Sequence, residues 1–179
     1  MVKVSYLNGD VYEGKFKDGK KSGFGMLQYK SLLSPEDGSL EWGHYEGNWK
    51  ANLRNGSGRM RWSDGSEFEG LWVNDERVSG TMRMIDGTLY TGNFKNDKLE
   101  GPGRLKTVTG EVFDGVFVGG KCPKQGKLTF EDESVYFGEV SESLGRQGVG
   151  KGVFKNGDVY EGQWQDVRSI RDIIINRTG

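Results

Sequence analysis

The stretch Tyr45-Glu46-Gly47-Asn48-Trp49 decides the fold, because it alternates apolar and polar residues and recurs throughout the chain. Alternation with a period of two predicts a β-strand. An aromatic residue followed two positions later by glycine occurs at Tyr12, Tyr45, Phe68, Tyr90, Phe113, Tyr136 and Tyr160. From Tyr45 onward the intervals between these residues are 23, 22, 23, 23 and 24 residues. The sequence therefore predicts a tandem array of one small structural unit.

Each unit is predicted to be a β-hairpin. A second alternating run, Gly58-Arg59-Met60-Arg61-Trp62, follows the first, and Asp64-Gly65 comes next. Asp-Gly between alternating runs is typical of a type I′ turn, so we expect two strands of about five residues per unit. Gly47 lies on the aromatic side of its strand, where we expect it to be the floor for a ring from the neighbouring strand.

The repeat also predicts the organisation of the chain. Tyr12 and Tyr45 are 33 residues apart, so the first repeat carries an insertion, which we place at residues 30–44. We expect the array to cover residues 1–165 and a tail to follow at residues 166–179.

These motifs closely resemble the MORN repeat (membrane occupation and recognition nexus). The resemblance rests on Tyr-Glu-Gly-x-Trp/Phe, then Gly-x-Gly and Asp-Gly, and covers six to seven units. It implies an all-β, elongated, twisted, single-layer antiparallel sheet of tandem hairpins without fixed enzymatic activity. Family members typically serve as scaffolds or docking modules in ciliary, flagellar and cytoskeletal assemblies, and others are accessory segments of enzymes. The chain departs from the pattern at Lys124, Glu133 and Val140.

The residues give no case for catalysis, a metal or a cofactor. His44 is the single histidine and lies in the predicted insertion, and Cys122 is the single cysteine. Residues 145–151 match most of a phosphate-binding loop, but Gly152 replaces the hydroxyl residue that would bind Mg²⁺, and a strand follows where a helix is needed. We therefore expect a protein that is not an enzyme.

Charge and hydropathy narrow the compartment and the partners. The net charge is −1 and no basic block occurs, which argues against nucleic acid as a partner. No apolar stretch reaches the length of about 20 residues that spans a bilayer. With no secretory signal and one cysteine, we expect a cytoplasmic protein, associated with the cytoskeleton and above all with the axoneme of a cilium or flagellum by family analogy.

We expect aromatic residues on the aromatic side of the sheet, together with the tail, to bind partner proteins, since aromatic residues are enriched at interface centres. The alternative is that each ring is only structural. The predicted partner-binding residues are Trp49, Trp62, Trp72, Phe94, Phe117 and Trp164, with Ile170 and Ile173 as a secondary site.

Two further features leave alternatives open. Lys15, Lys17, Lys20 and Lys21 form the best candidate for binding anionic lipid, and the alternative is a charged strand end that keeps the sheet soluble. The tail, helical or extended, either caps the last hairpin or docks a partner.

The sequence thus predicts a non-enzymatic scaffold or docking protein. A peripheral lipid-binding module and a regulatory subunit of an enzyme are the alternatives, and free sheet edges allow an end-to-end homodimer.

Overall fold

The computed structural model describes residues 1–30, 42–141 and 143–167. The chain divides into two compact units, each of which contains several of the predicted repeats. The first unit is Met1–Lys98 and the second unit is Leu99–Gly179. The described residues form fourteen strands and no helix. The strands are β1 (Val2–Ser5), β2 (Val11–Lys17), β3 (Lys20–Gln28), β4 (Trp42–Lys50), β5 (Leu53–Trp62), β6 (Glu67–Val73), β7 (Glu76–Arg83), β8 (Leu89–Lys95), β9 (Lys98–Lys106), β10 (Val112–Phe117), β11 (Gln125–Thr129), β12 (Val135–Val140), β13 (Arg146–Val153) and β14 (Val159–Val167).

Within each unit every strand pairs antiparallel with the next one along the chain. In the first unit this holds for β1 through β8, and in the second for β9 through β14. The glycines fix the register, since Gly47 lies opposite Gly25 on one side and Gly58 on the other. The predicted all-β antiparallel fold of tandem hairpins is confirmed.

The turns that join the strands include two types, and the predicted turn type is wrong at the Asp-Gly pairs. At 63–65 the loop has three residues, closed by the Trp62 amide donating to the Ser66 carbonyl, and only Gly65 has positive φ, +88°. A tight turn followed by one left-handed residue is the usual three-residue hairpin loop. Asp64 therefore does not take the left-handed conformation that a type I′ turn requires.

The two-residue turns lie at the other end of the strands. Asn74 and Asp75 have φ of +50° and +70°, and Asn96 and Asp97 have +49° and +58°. Positive φ at both central residues is the type I′ arrangement. Each of these two turns joins the two strands of one repeat, whereas the loop at 63–65 joins one repeat to the next.

The strands β3 and β5 are longer than the five residues predicted, because they continue through the Gly-x-Gly motif. Gly23 and Gly56, the first glycines of two such motifs, have φ of +68° and +105° and lie inside β3 and β5. The pairing register shifts beside both. A left-handed glycine in a strand with a register shift is a β-bulge, so the bulge lets each strand run on to the two-residue turn.

The second glycine of the motif makes room for an aromatic ring. A side chain at Gly47 or Gly58 would meet the Tyr45 ring. The Tyr45 hydroxyl donates to the Asn48 carbonyl at 3.1 Å, so the ring lies along its own strand over Gly47 and reaches across to Gly58. The prediction that the ring over Gly47 comes from the neighbouring strand is therefore wrong. Glycine is needed at both positions because the ring lies flat on backbone.

Parts of the predicted insertion and tail lie outside the described residues. The strand β4 begins at Trp42, so His44 is a strand residue and not a loop residue as predicted. The rest of the insertion, apart from residue 30, is outside the described part of the chain. The tail from residue 168 onward, with Ile170 and Ile173, is outside it too.

Candidate interaction surface

The aromatic face, the side of the sheet that carries Tyr45 and Trp49, holds a continuous row of rings in the first unit. The second ring of a repeat, which is Trp49, Trp72 or Phe94, packs edge-on between the first ring of its own repeat and that of the preceding repeat. Trp49, for example, lies 5.0 Å from Tyr45 and 5.7 Å from Tyr12 between ring centroids, at 84° and 88°. T-shaped pairs of this kind contribute about 0.5–1.5 kcal/mol each beyond the burial of area. The row runs through Phe16, Tyr12, Trp49, Tyr45, Trp72, Phe68, Phe94 and Tyr90.

The polar atoms of these rings are used inside the row. The indole Nε1 of Trp49 donates to the Gly25 carbonyl at 3.0 Å, and that of Trp72 donates to the Gly58 carbonyl at 3.1 Å. Trp164 in the second unit donates to the Gly150 carbonyl at 2.9 Å. Because buried donors need partners, these bonds fix each indole in one orientation.

A cation covers the outer side of the row at regular intervals. Lys21 Nζ lies 4.3 Å from the centroid of the Trp49 ring, and the Arg54 guanidinium lies 4.3 Å from that of Trp72. The second unit repeats the arrangement with Arg146, which lies 5.2 Å from the Trp164 ring and 4.0 Å from Phe130. Desolvated cation–π contacts of this kind are worth about 2 kcal/mol. These contacts were not foreseen from the sequence.

Carboxylates from the following repeat fix the arginines. Arg54 Nε donates to Asp75 Oδ1 at 2.9 Å, and Arg77 Nε donates to Asp97 Oδ1 at 2.8 Å. Asp75 and Asp97 are the second residues of the type I′ turns, so the turn geometry places them beside the arginines. The 23-residue spacing of Arg54 and Arg77 is visible in the sequence and was the available signal.

The predicted partner-binding rings are mostly buried by the chain itself. Trp49 is 4% exposed and Trp72 is 2% exposed, and only Trp62 among the six is half-buried. Neighbouring rings and cations therefore cover five of the six. The other buried rings of this group are Phe94, Phe117 and Trp164. Partner binding through these rings stays a prediction.

Exposed apolar area lies instead on the polar face, the side of the sheet that carries Glu46 and Asn48. Phe24 is 50% exposed, Met26 is 42% exposed and Leu71 is 41% exposed. Strand alternation places all three on this face of the first unit, since Met26 lies opposite Glu46 and Phe24 opposite Asn48. The polar face of the first unit therefore combines apolar contact area with charge.

Ion pairing on this face is centred on Glu67. Arg59 and Arg61 both donate to Glu67 on β6, with the Arg61 Nε at 2.6 Å from Glu67 Oε2. Burial acts to raise the pKa of Glu67, but hydrogen bonds from Arg61 and Arg59 outweigh it and hold that pKa below its ordinary value. Glu46 makes no ion pair within the described part of the chain.

A groove crosses the strands of the first unit on the polar face. Its volume is about 580 Å³, and its floor is the backbone of Gly47, Gly58 and Gly70. Glu46, Arg59 and Glu69 form one wall, and Phe24, Asn48 and Ser57 form the other. The glycines form the floor because their missing side chains would point to the aromatic face, away from the groove.

The four predicted lipid-binding lysines lie on opposite faces. Lys17 pairs with Lys20 across the β2–β3 turn, and both lie on the polar face with Lys15. Lys21 lies opposite Phe16 and covers the Trp49 ring on the aromatic face. Burial among these rings lowers the pKa of the Lys21 ammonium. Three of the four lysines therefore share one exposed face, and lipid binding by the set stays a prediction.

Burial also shifts the pKa of several tyrosines. It raises the pKa of the Tyr29 phenol to about 12, and it raises the pKa of Tyr45 further. Burial likewise raises the pKa of Tyr12 and of Tyr136. The Tyr12 and Tyr136 hydroxyls each donate a structural hydrogen bond to the carbonyl of the residue three positions further along the chain.

The described residues form no metal site, since no group of three or more His, Cys, Asp and Glu side chains converges among them. Residues 146–153, which include the end of the phosphate-loop match, form the strand β13. No helix within residues 1–30, 42–141 and 143–167 has the length and apolar character to cross a membrane.

The class of protein follows from the hairpin array and its glycine row. The family model of the MORN repeat matches residues 12–31, 45–67 and 90–112. Each match begins at the first aromatic residue of a predicted repeat, which is Tyr12, Tyr45 or Tyr90. The chain is a MORN-repeat protein. MORN repeats are non-catalytic modules for interaction with proteins or membranes.

Among known proteins the chain is similar to Alsin. It is 33% identical to rat Alsin (Rattus norvegicus) and 32% identical to mouse Alsin (Mus musculus), over 165 residues in each case. The match covers 91% of this chain but only 7% of Alsin, so the chain spans a small part of the length of these relatives. A solved structure of the G-box domain of the microcephaly protein CPAP matches with a TM-score of 0.46 at 11% identity, covering 91% of this chain and 86% of that domain.

Proposed function

We propose that this chain is a non-enzymatic docking protein that holds partner proteins against its repeat array. The observation that carries the proposal is the polar face of the first unit, where Phe24, Met26 and Leu71 are exposed beside Glu46 and Glu69. Apolar contact area flanked by charge is typical of the rim and centre of partner surfaces. The aromatic residues of the row are used for folding, which leaves binding to this face.

The proposed setting is a cytoskeletal assembly, with a cilium or flagellum as the first place to look. This part of the proposal is supported only by the family resemblance, because fold analogy alone does not fix function. Fluorescence imaging of the tagged full chain with an axonemal marker tests it. A diffuse cytosolic signal in ciliated cells contradicts the setting and leaves the docking function intact.

Affinity purification of the tagged full chain from a native extract tests the docking function. The variant Phe24→Ser/Leu71→Ser removes exposed apolar area from the proposed surface. Val149→Ser is the matched control, because Val149 is 57% exposed on the polar face of the second unit. We expect partners retained by the wild type and by the control to be lost with the double variant. Equal recovery in all three contradicts docking through this face, and recovery of an enzyme in a fixed ratio favours a regulatory subunit.

Binding of anionic lipid is the second candidate function, favoured by the lysines beside the type I′ turns. Lys17, Lys20 and Lys50 are exposed at strand ends on the polar face, close in sequence to the exposed Leu53. Basic residues near an anionic surface contribute about 1 kcal/mol each. Co-sedimentation with vesicles of phosphatidylserine and phosphatidylcholine, against phosphatidylcholine alone, tests this candidate. Loss of anionic binding in Lys17→Gln/Lys20→Gln/Lys50→Gln supports it.

A further inference from the structure

The groove on the polar face of the first unit has the dimensions of an extended peptide. It crosses β4, β5 and β6 over Gly47, Gly58 and Gly70. Neighbouring strands lie about 4.8 Å apart, so three strands offer a floor of about 10–15 Å, the length of three to four extended residues. The groove is open to solvent along its length, since the residues of both walls are exposed or half-buried.

The charge of the groove is acidic once internal pairing is taken into account. Arg59 is engaged by Glu67, and its Nε lies 3.8 Å from Glu69. Glu46 and Glu13 flank Met26 as cross-strand neighbours and make no hydrogen bond or ion pair within the described residues. The charged residues that line the groove are Glu46 and Glu69 against Arg59, which shares Glu67 with Arg61, so the lining carries one net negative charge. Glu13 adds a further carboxylate beside Met26.

Apolar side chains lie next to these carboxylates. Phe24 forms part of the groove wall, and Met26, two residues further along β3, lies between Glu13 and Glu46. A long cationic side chain fits such a surface, because its methylene stem packs on Phe24 and Met26 while its charged end reaches Glu46. An acidic or purely apolar segment would leave these carboxylates repelled or desolvated.

We propose that this groove binds an extended, basic segment of a partner protein, with arginine or lysine side chains alternating with small or apolar ones. The inference rests on the proposed docking function and names the chemistry of the partner. Alternation follows from the strand-like conformation of the segment, since every second side chain faces the groove. The same carboxylates repel an anionic membrane, so the groove and the lysines beside the turns serve different ligands.

Fluorescence anisotropy with a labelled nonapeptide, Arg-Leu-Arg-Thr-Arg-Leu-Arg-Thr-Arg, tests the proposal on the full chain. A second peptide with glutamate in place of each arginine is the control ligand. We expect the wild type to bind the basic peptide and not the acidic one. Because Glu46→Gln/Glu69→Gln removes two exposed charge pairs with the peptide, it should raise the Kd about fivefold.

Glu161→Gln is the matched control variant. Glu161 lies on the polar face of the second unit opposite Lys151, and its side chain is 70% exposed against 68% for Glu69. We expect this variant to leave the Kd within about twofold of the wild type, as for a typical surface substitution. The charge reversal Glu46→Lys/Glu69→Lys should invert the preference toward the acidic peptide. Unchanged thermal melts confirm that the variants fold.

Three results overturn the inference. They are no binding of the basic peptide by the wild type, equal loss of binding in Glu161→Gln, and an unchanged preference after charge reversal. Any of these results, combined with partner loss in Phe24→Ser/Leu71→Ser, leaves the docking function in place and refutes only the basic segment. Retention of partners by that double variant refutes docking through this face.

Discussion

The glycine row offers the sharpest test of how the fold is built, and Gly70→Ala is the smallest change that tests it. A Cβ at Gly70 would lie 2.7 Å from the Gly80 Cα and 2.7 Å from Cζ of Phe68, and it would also clash with the Ser79 carbonyl oxygen. Carbon atoms in contact are normally about 3.5–4.0 Å apart. Two of the three obstacles belong to the backbone of β7, so a side-chain rotation cannot relieve them.

The structure sets the expected magnitude. Phe68 is fully buried and packs at 5.2 Å against both Trp72 and Phe94, so its ring has no free space to enter. Overpacking of a tight core costs about 1–3 kcal/mol and sometimes more. Replacing glycine by alanine returns about 0.4–1 kcal/mol through the unfolded chain, because Gly70 does not have positive φ. Because the obstacles are rigid, we take the upper end of the overpacking cost and expect a net loss of about 2 kcal/mol, which lowers the Tm by about 4–8 °C in a chain of this size.

Urea unfolding followed by tryptophan fluorescence measures this loss, and Gly65 provides the control. Gly65 has φ of +88° and no atom within 4 Å of an added Cβ, so its substitution strains the backbone without a clash. Gly65→Ala should cost about 1 kcal/mol. Asparagine tolerates the left-handed conformation, so Gly65→Asn should cost less than Gly65→Ala, whereas Gly70→Asn should cost more than Gly70→Ala.

The order of the four losses in free energy of unfolding shows whether space or backbone conformation requires glycine at Gly70. If Gly70→Ala is as stable as Gly65→Ala, the ring does not require bare backbone beneath it. If asparagine is tolerated better than alanine at both positions, conformation and not space explains the glycine row.

Three further outcomes are expected. Glu133 has φ of +69° at the loop position that Gly65 and Gly157 occupy elsewhere, so Glu133→Gly should stabilise the fold by about 0.5–1 kcal/mol, while the neighbouring Glu131→Gly should destabilise it in the same thermal melt. Arg54→Met should cost about 2 kcal/mol in urea unfolding through loss of the contacts with Trp72 and Asp75. Arg54→Lys should cost clearly less, since Lys21 holds the equivalent position over Trp49. If the methionine variant is as stable as the wild type, the stabilising role of the cation is contradicted. Burial raises the pKa of Tyr12, Tyr45 and Tyr136 above the ordinary value of 10.0, and that of Tyr29 to about 12. The contribution of these phenols to the free energy of unfolding is therefore present below pH 10 and lost as the pH rises through the folded pKa values. A tyrosinate absorbance titration that follows free tyrosine would contradict the burial of the rings.

Much of the fold can be read from the spacing of a few residues. Tyr45, Gly47 and Trp49 give the strand, its face and its repeat, because alternation depends only on neighbours in the chain. The turn type cannot be read as directly, since Asp64-Gly65 is compatible both with a type I′ turn and with a three-residue loop. The difference depends on where the pairing of β5 and β6 ends, and here Trp62 bonds to Ser66 with three residues between them.

The interaction surface is harder to predict, because it depends on which rings are covered. The sequence places Trp49 and Trp72 on one face, but not the cations that cover them, although Arg54 and Arg77 repeat with the period of the array. The free carboxylate of Glu46 depends on Glu67, which takes both arginines. Such competition between partners depends on distances that a periodic pattern does not contain.

The direction in which each ring leans bears on end-to-end pairing of copies. Tyr45 covers Gly47 on its own strand and Gly58 on the following strand, and Tyr12 covers Gly14 and Gly25 in the same way. On β14 Tyr160 covers Gly162 on its own strand, and it remains half-buried, whereas Tyr12 and Tyr45 are fully buried.

A strand added to β14 in the register of the array must therefore carry glycine opposite Gly162, where the Tyr160 ring would lie. The strand β1 of a second copy would place Val2 there, since Val2 holds the glycine position opposite Gly14. A valine side chain beneath that ring would overpack the contact, at a cost of about 1–3 kcal/mol. A head-to-tail homodimer in this register is thus disfavoured by the same rule that builds the array, and an end-to-end dimer would need another register or other strands.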